Sequence, residues 1–129
     1  MSAEMSEKNV TVTKSQIIDQ VHEKLRERNK TITKRQSAEL VECIFKTIKS
    51  EIRGLRDELS QDEASFDNDP TVKPERRLKI SGFGNFVVRY KRSRPGRNPQ
   101  NGAKIAISSR YVLTFKPSSK LKEAINPAS

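Results

Sequence analysis

Two stretches decide how this chain is read: Ser81-Gly82-Phe83-Gly84-Asn85-Phe86, and Arg94-Pro95-Gly96-Arg97-Asn98-Pro99-Gln100-Asn101-Gly102. In the first, Gly82-Phe83-Gly84 makes a turn between Leu78 and Ile80 on one side and Phe86, Val88 and Tyr90 on the other. Both flanks alternate apolar and polar residues, the period of a strand with one covered face. In the second, Arg, Pro, Gly and Asn replace the alternation, so Ser93–Gly102 reads as the tip of a second hairpin. Ile105 and Ile107 restart the alternation, and Arg110–Lys116 completes a third strand with Tyr111, Leu113 and Phe115 on one side. Pro117-Ser118-Ser119 then leads into a short C-terminal helix that ends near Asn126-Pro127.

Upstream the period changes from two to 3.6. Thr13-Lys14-Ser15-Gln16 is a capping box: the Thr13 hydroxyl can accept from the Gln16 amide while the Gln16 side chain reaches back. Val12 and Ile17 are placed to staple that helix start, and Ile17, Ile18, Val21 and Leu25 carry the helix to about Arg28. Thr33-Lys34-Arg35-Gln36 repeats the signal before Val41, Ile44, Phe45, Ile48, Ile52 and Leu55, an apolar stripe over four turns. The short Asn29–Ile32 connection makes the two helices antiparallel neighbours. Cys43, beside the stripe, is expected to be a small buried hydrophobe, and His22, with no ligand partner at useful spacing, to be structural or solvent-facing. Met1–Asn9 is expected to be a disordered polar tail, and residues 127–129 a C-terminal tail. Ser60–Glu75 holds five acids, one lysine and two prolines with little periodicity. With Pro70 and Pro74 opposing a regular helix, it reads as a flexible acidic loop. Asp62, Glu63, Asp67 and Asp69 are expected to compete for the basic surface or to dock a partner; the alternative is a tolerated surface insertion, since lengthening a loop costs little.

The net charge of +10 and pI near 10.0 point to a polyanionic partner. Its distribution is more telling than its sum. Residues 1–75 carry 13 Lys/Arg against 15 Asp/Glu, whereas residues 76–122 carry 13 Lys/Arg and no acid. A solvated basic face explains scattered lysines but not an acid-free half. The single cysteine leaves no disulfide framework and no cysteine-rich metal site. No nucleophile–base pair and no phosphate-binding glycine loop is present, so an enzyme is not expected, nor a cofactor or small-molecule ligand. Without a signal-like or membrane-spanning apolar run, the protein is expected to be soluble and cytoplasmic.

The two stretches together resemble the HU and integration host factor family of bacterial histone-like proteins. The spacing from Gly82-Phe83 through Phe86, Lys91, Arg94, Gly96 and Asn98-Pro99 to Asn101 follows that family's arm signature, with the Arg-Pro-Gly-Arg-Asn-Pro string nearest the integration host factor branch. The resemblance covers roughly residues 10–58 and 76–126. It implies an α+β fold: an α-α-β-β-β-α subunit over 10–126, intertwined in a dimer, with an extended β-ribbon arm over 89–110. The partner is double-stranded DNA, gripped in the minor groove and bent, in a nucleoid-associated role that supports replication, recombination or transcription. On this chain Ser81, Gly82 and Asn85 would clamp phosphate where DNA leaves the arm. Lys14, Arg110, Lys116, Lys120 and Lys122 would extend the phosphate track, and Arg89, Lys91, Arg92, Asn98 and Lys104 would contact DNA along the arm.

Arg94 and Arg97 can follow the groove floor, where the potential is most negative. Pro99 is a rigid apolar group with no N–H to desolvate and is suited to wedging between base pairs. HU and integration host factor are themselves established cases of such wedging, so this role comes with the resemblance; the alternative is that Asn98-Pro99 is only turn chemistry. Phe83, Phe86 and Phe115 are expected to be core under the arms. The insertion at 60–75 departs from the family, which joins helix and strand there by a short turn. Two further alternatives stay open: a homodimer or a heterodimer with a related subunit, and an RNA- or ribosome-associated basic protein. B-form DNA is favoured over RNA because A-form duplex offers a wide, shallow minor groove.

The apolar share of 33% is low for a chain of 129 residues, and helix 2 carries more apolar surface than helix 1 can cover. Sedimentation at micromolar concentration should therefore find a dimer, or an unfolded chain that folds on adding a related subunit. A compact, cooperatively folding monomer would contradict this.

Overall fold

Both capping boxes form. In the computed structural model, which describes residues 10–127, the Gln16 N–H reaches Thr13 Oγ1 at 3.4 Å and the Thr13 N–H donates to Gln16 Oε1 at 2.8 Å. Thr33 and Gln36 repeat the pair at 3.1 and 2.9 Å. The expected tail over 1–9 and the last two residues of the expected C-terminal tail lie outside the described residues. Helix α1 spans Lys14–Arg28 and α2 spans Lys34–Ser60. The chain divides into two units, Met1–Ile48 and Lys49–Ser129.

In the first unit α1 and the start of α2 run antiparallel through the Asn29 turn. The Asn29 N–H closes α1 onto the Leu25 carbonyl, and Asn29 Oδ1 accepts from the Thr31 amide and hydroxyl at 3.1 and 2.7 Å. Among the described residues of this unit, Val41 and Ser37 are buried. Ser37 is fully enclosed, and such a hydroxyl needs a partner; His22 Nδ1 lies 2.8 Å from its oxygen, which gives His22 the structural role expected of it. Cys43, expected to be buried, is exposed. At 3.6 residues per turn it sits about 200° around the helix from Val41, on the far side of the covered stripe. Leu40, Ile44 and Phe45 are also open.

The second unit contains the end of α2, then α3 (Glu63–Asn68), β1 (Glu75–Ile80), β2 (Gly84–Lys91), β3 (Arg94–Arg97), β4 (Lys104–Ile107), β5 (Arg110–Pro117) and α4 (Ser119–Ile125). The strands form an antiparallel sheet in the order β1-β2-β5 and a separate ribbon, β3-β4. The observed order is thus α-α-α-β-β-β-β-β-α, where the sequence suggested α-α-β-β-β-α. The ladder lapses at Arg92-Ser93 and Ser108-Ser109, which cuts each long arm strand in two.

The added helix corrects the reading of Ser60–Glu75 as a flexible acidic loop. Pro70 and Pro74 stop a helix only from their own neighbourhood onward, and Glu63–Asn68 contains none. Phe66 is 8% exposed and joins Leu59, Val88 and Tyr90 in the core, with Ile52, Leu55 and Tyr111 against them. Three acids of the insertion accept hydrogen bonds within the fold. The Tyr90 hydroxyl donates to Asp67 at 3.0 Å, and the Tyr111 hydroxyl donates to Glu63. Burial first, then that bond to Glu63, pushes the Tyr111 hydroxyl up to about 12. Asp69 Oδ1 accepts from the amide and hydroxyl of Thr71, which lowers its carboxyl below the ordinary carboxylate range. Three of the four acids expected to compete for the basic surface are therefore engaged within the fold.

Arg92 completes the insertion. Its Nε donates to the Phe66 carbonyl at 2.5 Å, and its Nη2 donates to the carbonyls of Asp69 and Val72 at 2.8 and 2.7 Å. A helix C-terminus leaves carbonyls without partners, and a guanidinium there satisfies them and opposes the negative end of the helix.

The three phenylalanines expected as core form one aromatic cluster, with Phe83 and Phe86 ring centres 5.2 and 4.9 Å from Phe115. In the single chain only Phe86 is partly covered; Phe83 and Phe115 are open, as is Leu113. Their strand face is the apolar one, and that end of it is exposed.

Because Phe66 joins the insertion to the core, Phe66→Ala should lower stability by about 3 kcal/mol, the low end for a phenylalanine truncation. Urea unfolding measures it. A loss under 0.5 kcal/mol would mean that the insertion is a tolerated appendage.

Candidate nucleic-acid interface

Alternation along β2 sorts the sheet into an apolar face and a second face that is basic around Val87, itself buried at 1% exposure. Phe86, Val88 and Tyr90 lie opposite Phe115, Leu113 and Tyr111 on the apolar face. Asn85, Val87, Arg89 and Lys91 leave on the other side, opposite Lys116, Thr114, Val112 and Arg110. From β1, Lys79 and Arg77 pair with Asn85 and Val87 and join that second face. It therefore carries Arg77, Lys79, Arg89, Lys91, Arg110 and Lys116 around a single acid, Glu75.

Glu75 accepts from Arg77 Nη2 at 2.9 Å and lies 3.5 Å from Arg89 Nη2, so it holds two guanidinium groups in place. The bond from Arg77, chiefly, keeps the Glu75 carboxyl below its usual range. Arg77 and Lys79 were missed by the sequence reading. The signal was present: with Leu78 and Ile80 turned inward, the residues between them must face outward.

At one end of this face the β1–β2 turn meets the start of α4. Gly82 has φ +76°, a conformation that L side chains seldom adopt, and the Phe83 N–H closes the turn onto the Ile80 carbonyl at 3.0 Å. The Ser118 N–H donates to the Phe83 carbonyl at 2.9 Å, and Ser118 caps α4 by accepting from the Leu121 amide at 3.1 Å. A Cβ on Gly82 would lie 3.9 Å from Lys120 Cδ. Ser81, Gly82, Asn85, Lys116 and Lys120 are thus brought together from three segments of chain. Lys122 follows in the last turn of α4.

At the other end the ribbon β3–β4 continues as the arm, in the register Arg94↔Ile107, Pro95↔Ala106, Gly96↔Ile105, Arg97↔Lys104. Arg94 therefore shares a face with Gly96, Ile105 and Ile107, while Arg97 shares the opposite face with Lys104. The sequence reading placed both arginines along one groove floor; the register separates them. The tip is held by its own bonds. The Asn98 N–H donates to the Ala103 carbonyl and the Gly102 N–H to the Asn98 carbonyl, both at 2.8 Å. Asn98 Oδ1 accepts from the Gln100 amide at 2.9 Å, and Arg97 Nη1 donates to the Gly102 carbonyl at 3.1 Å. Asn98 thus performs turn chemistry, and Pro99 is left exposed at the tip.

Two further residues of the expected set have attachments away from the sheet face and the tip. Arg92 is bound to the three carbonyls of the insertion, and Lys14, in the first unit, forms an ion pair with Glu42 at 2.6 Å. Among the described residues no helix is long and apolar enough to cross a membrane.

Residues 69–126 match the family model described as bacterial DNA-binding protein. The integration host factor subunit alpha of Anaeromyxobacter sp. (strain Fw109-5) is 44% identical over 115 residues, which span 89% of this chain and 91% of the relative. That of Myxococcus xanthus (strain DK1622) is 43% identical over 115 residues, 89% of this chain and 70% of the relative. That of Pseudomonas aeruginosa (strain LESB58) is 39% identical over 114 residues, 88% and 89% of the two chains. Among solved structures, an Anabaena HU–DNA cocrystal structure is similar in fold, with a TM-score of 0.52 at 20% identity over 91% of this chain and all of the other.

The two faces depend on close approach of β2 and β5 at Gly84, where a Cβ would stand 2.5 Å from the Lys116 carbonyl oxygen and 2.7 Å from Phe115 Cζ. Gly84→Ala should therefore destabilise the chain by about 1–3 kcal/mol, an overpacking cost that thermal or urea unfolding would show. An unchanged midpoint would mean that the strands separate freely there.

Proposed function

Because this chain belongs to the integration host factor and HU family of bacterial DNA-binding proteins, we propose that it is an architectural protein that grips duplex DNA by the minor groove and bends it. The observation that carries this reading is the continuity of one basic sheet face with a two-stranded arm whose tip exposes Pro99. Duplex phosphates form a regular anionic track, and a rigid face of Arg and Lys can neutralise several at once, releasing counterions. Backbone amides and short side chains at Ser81, Gly82 and Asn85, with Lys116 and Lys120 beside them, hold phosphate at one end of the face. Strands about 4.8 Å apart make the arm a thin element to set along a groove about 6 Å wide. With Arg97 and Lys104 on one face and Arg94 on the other, the ribbon addresses both walls of the groove rather than its floor alone.

The protein acts by binding and deformation rather than by catalysis, and its place is on the nucleoid in the cytoplasm. The unit of function is a dimer, with this chain or a related subunit as partner. Phe83, Leu113 and Phe115 in one unit, and Leu40, Ile44 and Phe45 in the other, leave apolar surface that a second subunit would cover.

Pro99 and Lys116 separate bending from holding. If Pro99 wedges between base pairs, Pro99→Ala should reduce the bend angle measured by fluorescence energy transfer. It should also weaken binding to intact duplex more than to duplex nicked at the kink, because unstacking a step costs on the order of a few kcal/mol. Lys116→Ala should leave the bend in place but flatten the log–log salt dependence by about 0.9 per phosphate contact. A fully bent complex with Pro99→Ala would reduce Pro99 to turn chemistry.

A further inference from the structure

β1 begins at Glu75, opposite Arg89, while β2 runs on to Lys91. The reason lies in the insertion. The Pro74 carbonyl accepts one more bond, from the Tyr90 N–H at 3.0 Å, but Pro74 has no N–H to return and the chain turns away. The edge of β2 beyond Tyr90 is left without a strand partner on that side. A notch of about 520 Å³ opens there between residues 70–74 and 89–94, walled by Pro70, Val72, Pro74 and Tyr90. That volume is within the usual range for small-ligand sites.

Its lining holds five cations, Lys73, Arg89, Lys91, Arg92 and Arg94, and no acid. Two are already engaged: Arg89 lies beside Glu75, and Arg92 is bonded to the carbonyls of Phe66, Asp69 and Val72, which fixes the wall. Among the described residues, Lys73, Lys91 and Arg94 have no ion-pair partner. Lys73 is the only cation between Arg56 and Arg76, in a segment otherwise acidic. Like charges gathered on a fixed wall repel one another until an anion enters, and Lys and Arg donors suit phosphoryl oxygens.

We infer that the insertion completes a phosphate-binding notch at the root of the arm, in which Lys73, Lys91 and Arg94 take one phosphoryl group. The inference rests on the DNA-binding reading where the group is a backbone phosphodiester of the bound duplex; a free phosphomonoester offers the same chemistry. In the first case the insertion lengthens the phosphate track by one contact beyond the sheet and arm, and none of its acids lines the notch: Glu63, Asp67 and Asp69 accept from Tyr111, Tyr90 and Thr71, and Glu75 accepts from Arg77.

The test compares the full chain in its native oligomer with Lys73→Gln and Lys73→Arg. One arm measures the salt dependence of affinity for a duplex long enough to pass the root of the arm; the other follows Lys73 and Lys91 by NMR during titration with deoxyadenosine monophosphate. The expected result is that Lys73→Gln lowers the salt slope by about 0.9 per subunit while Lys73→Arg keeps it, with no response to the free nucleotide. An unchanged slope, together with saturable nucleotide binding that Lys73→Gln abolishes, retains the notch and assigns it to a free phosphomonoester. If neither slope nor nucleotide binding depends on Lys73, the inference is overturned. A wild-type affinity for duplex that does not fall with salt would instead overturn the DNA reading, leaving the notch to be judged by the nucleotide titration alone.

Discussion

Successive side chains of a strand leave on opposite faces, and in β2 this constraint separates what folds the unit from what reads its partner. Phe86, Val88 and Tyr90 go one way, toward Leu59 and Phe66 and the aromatic cluster; Asn85, Arg89 and Lys91 go the other, around a buried Val87. A slip of one residue between β2 and β5 would put arginines against the core and phenylalanines on the basic face. Gly84 and the β1–β2 turn guard against that slip. The glycine lets β5 approach where a Cβ would meet the Lys116 carbonyl, and the turn is tied to Ser118 at the head of α4. The basic surface is thus the reverse side of the core rather than a decoration added to it.

The insertion gives the sheet a second attachment. It borrows Tyr90 and Tyr111 from the apolar face and Arg92 from the first break in the arm strands, and its acids and carbonyls serve as their acceptors. Arg92 stands where β2 gives way to β3, so its three bonds fix the root from which the arm departs. A segment that looks like a negative counterweight to the basic half instead steadies it, and Lys73 is the one of its charges that lines the notch at the arm's root.

Much of this was legible in the sequence because its signals are local. The two Thr-x-x-Gln boxes and the alternation on either side of Gly82-Phe83-Gly84 each depend on residues within a few positions of one another, and each formed as read; the tip is shorter than the expected Ser93–Gly102, because Arg94–Arg97 pair as a strand with Lys104–Ile107. What escaped the sequence depends on distant partners. Helix α3 is six residues long and is held by Phe66 reaching Tyr90 and by Arg92 reaching the Phe66 carbonyl, contacts that no short window displays. Arg92 carries the same charge as its neighbours, so nothing in its identity marked it as a cap for a helix more than 20 residues upstream. Cys43 and the pair Arg77 and Lys79 are a different kind of miss, since helical and strand periods already assigned their sides. The openness of Phe83 and Phe115 belongs to the single chain, whose low apolar content had already pointed to a second subunit.

Entry of the arm into the minor groove can be read by chemical probing of a bound duplex. Dimethyl sulfate methylates adenine N3 in the minor groove and guanine N7 in the major groove. Protection of adenine N3 at the bend with guanine N7 still reactive is the result expected here. Protection of guanine N7, with adenine N3 left open, would place the arm in the major groove instead.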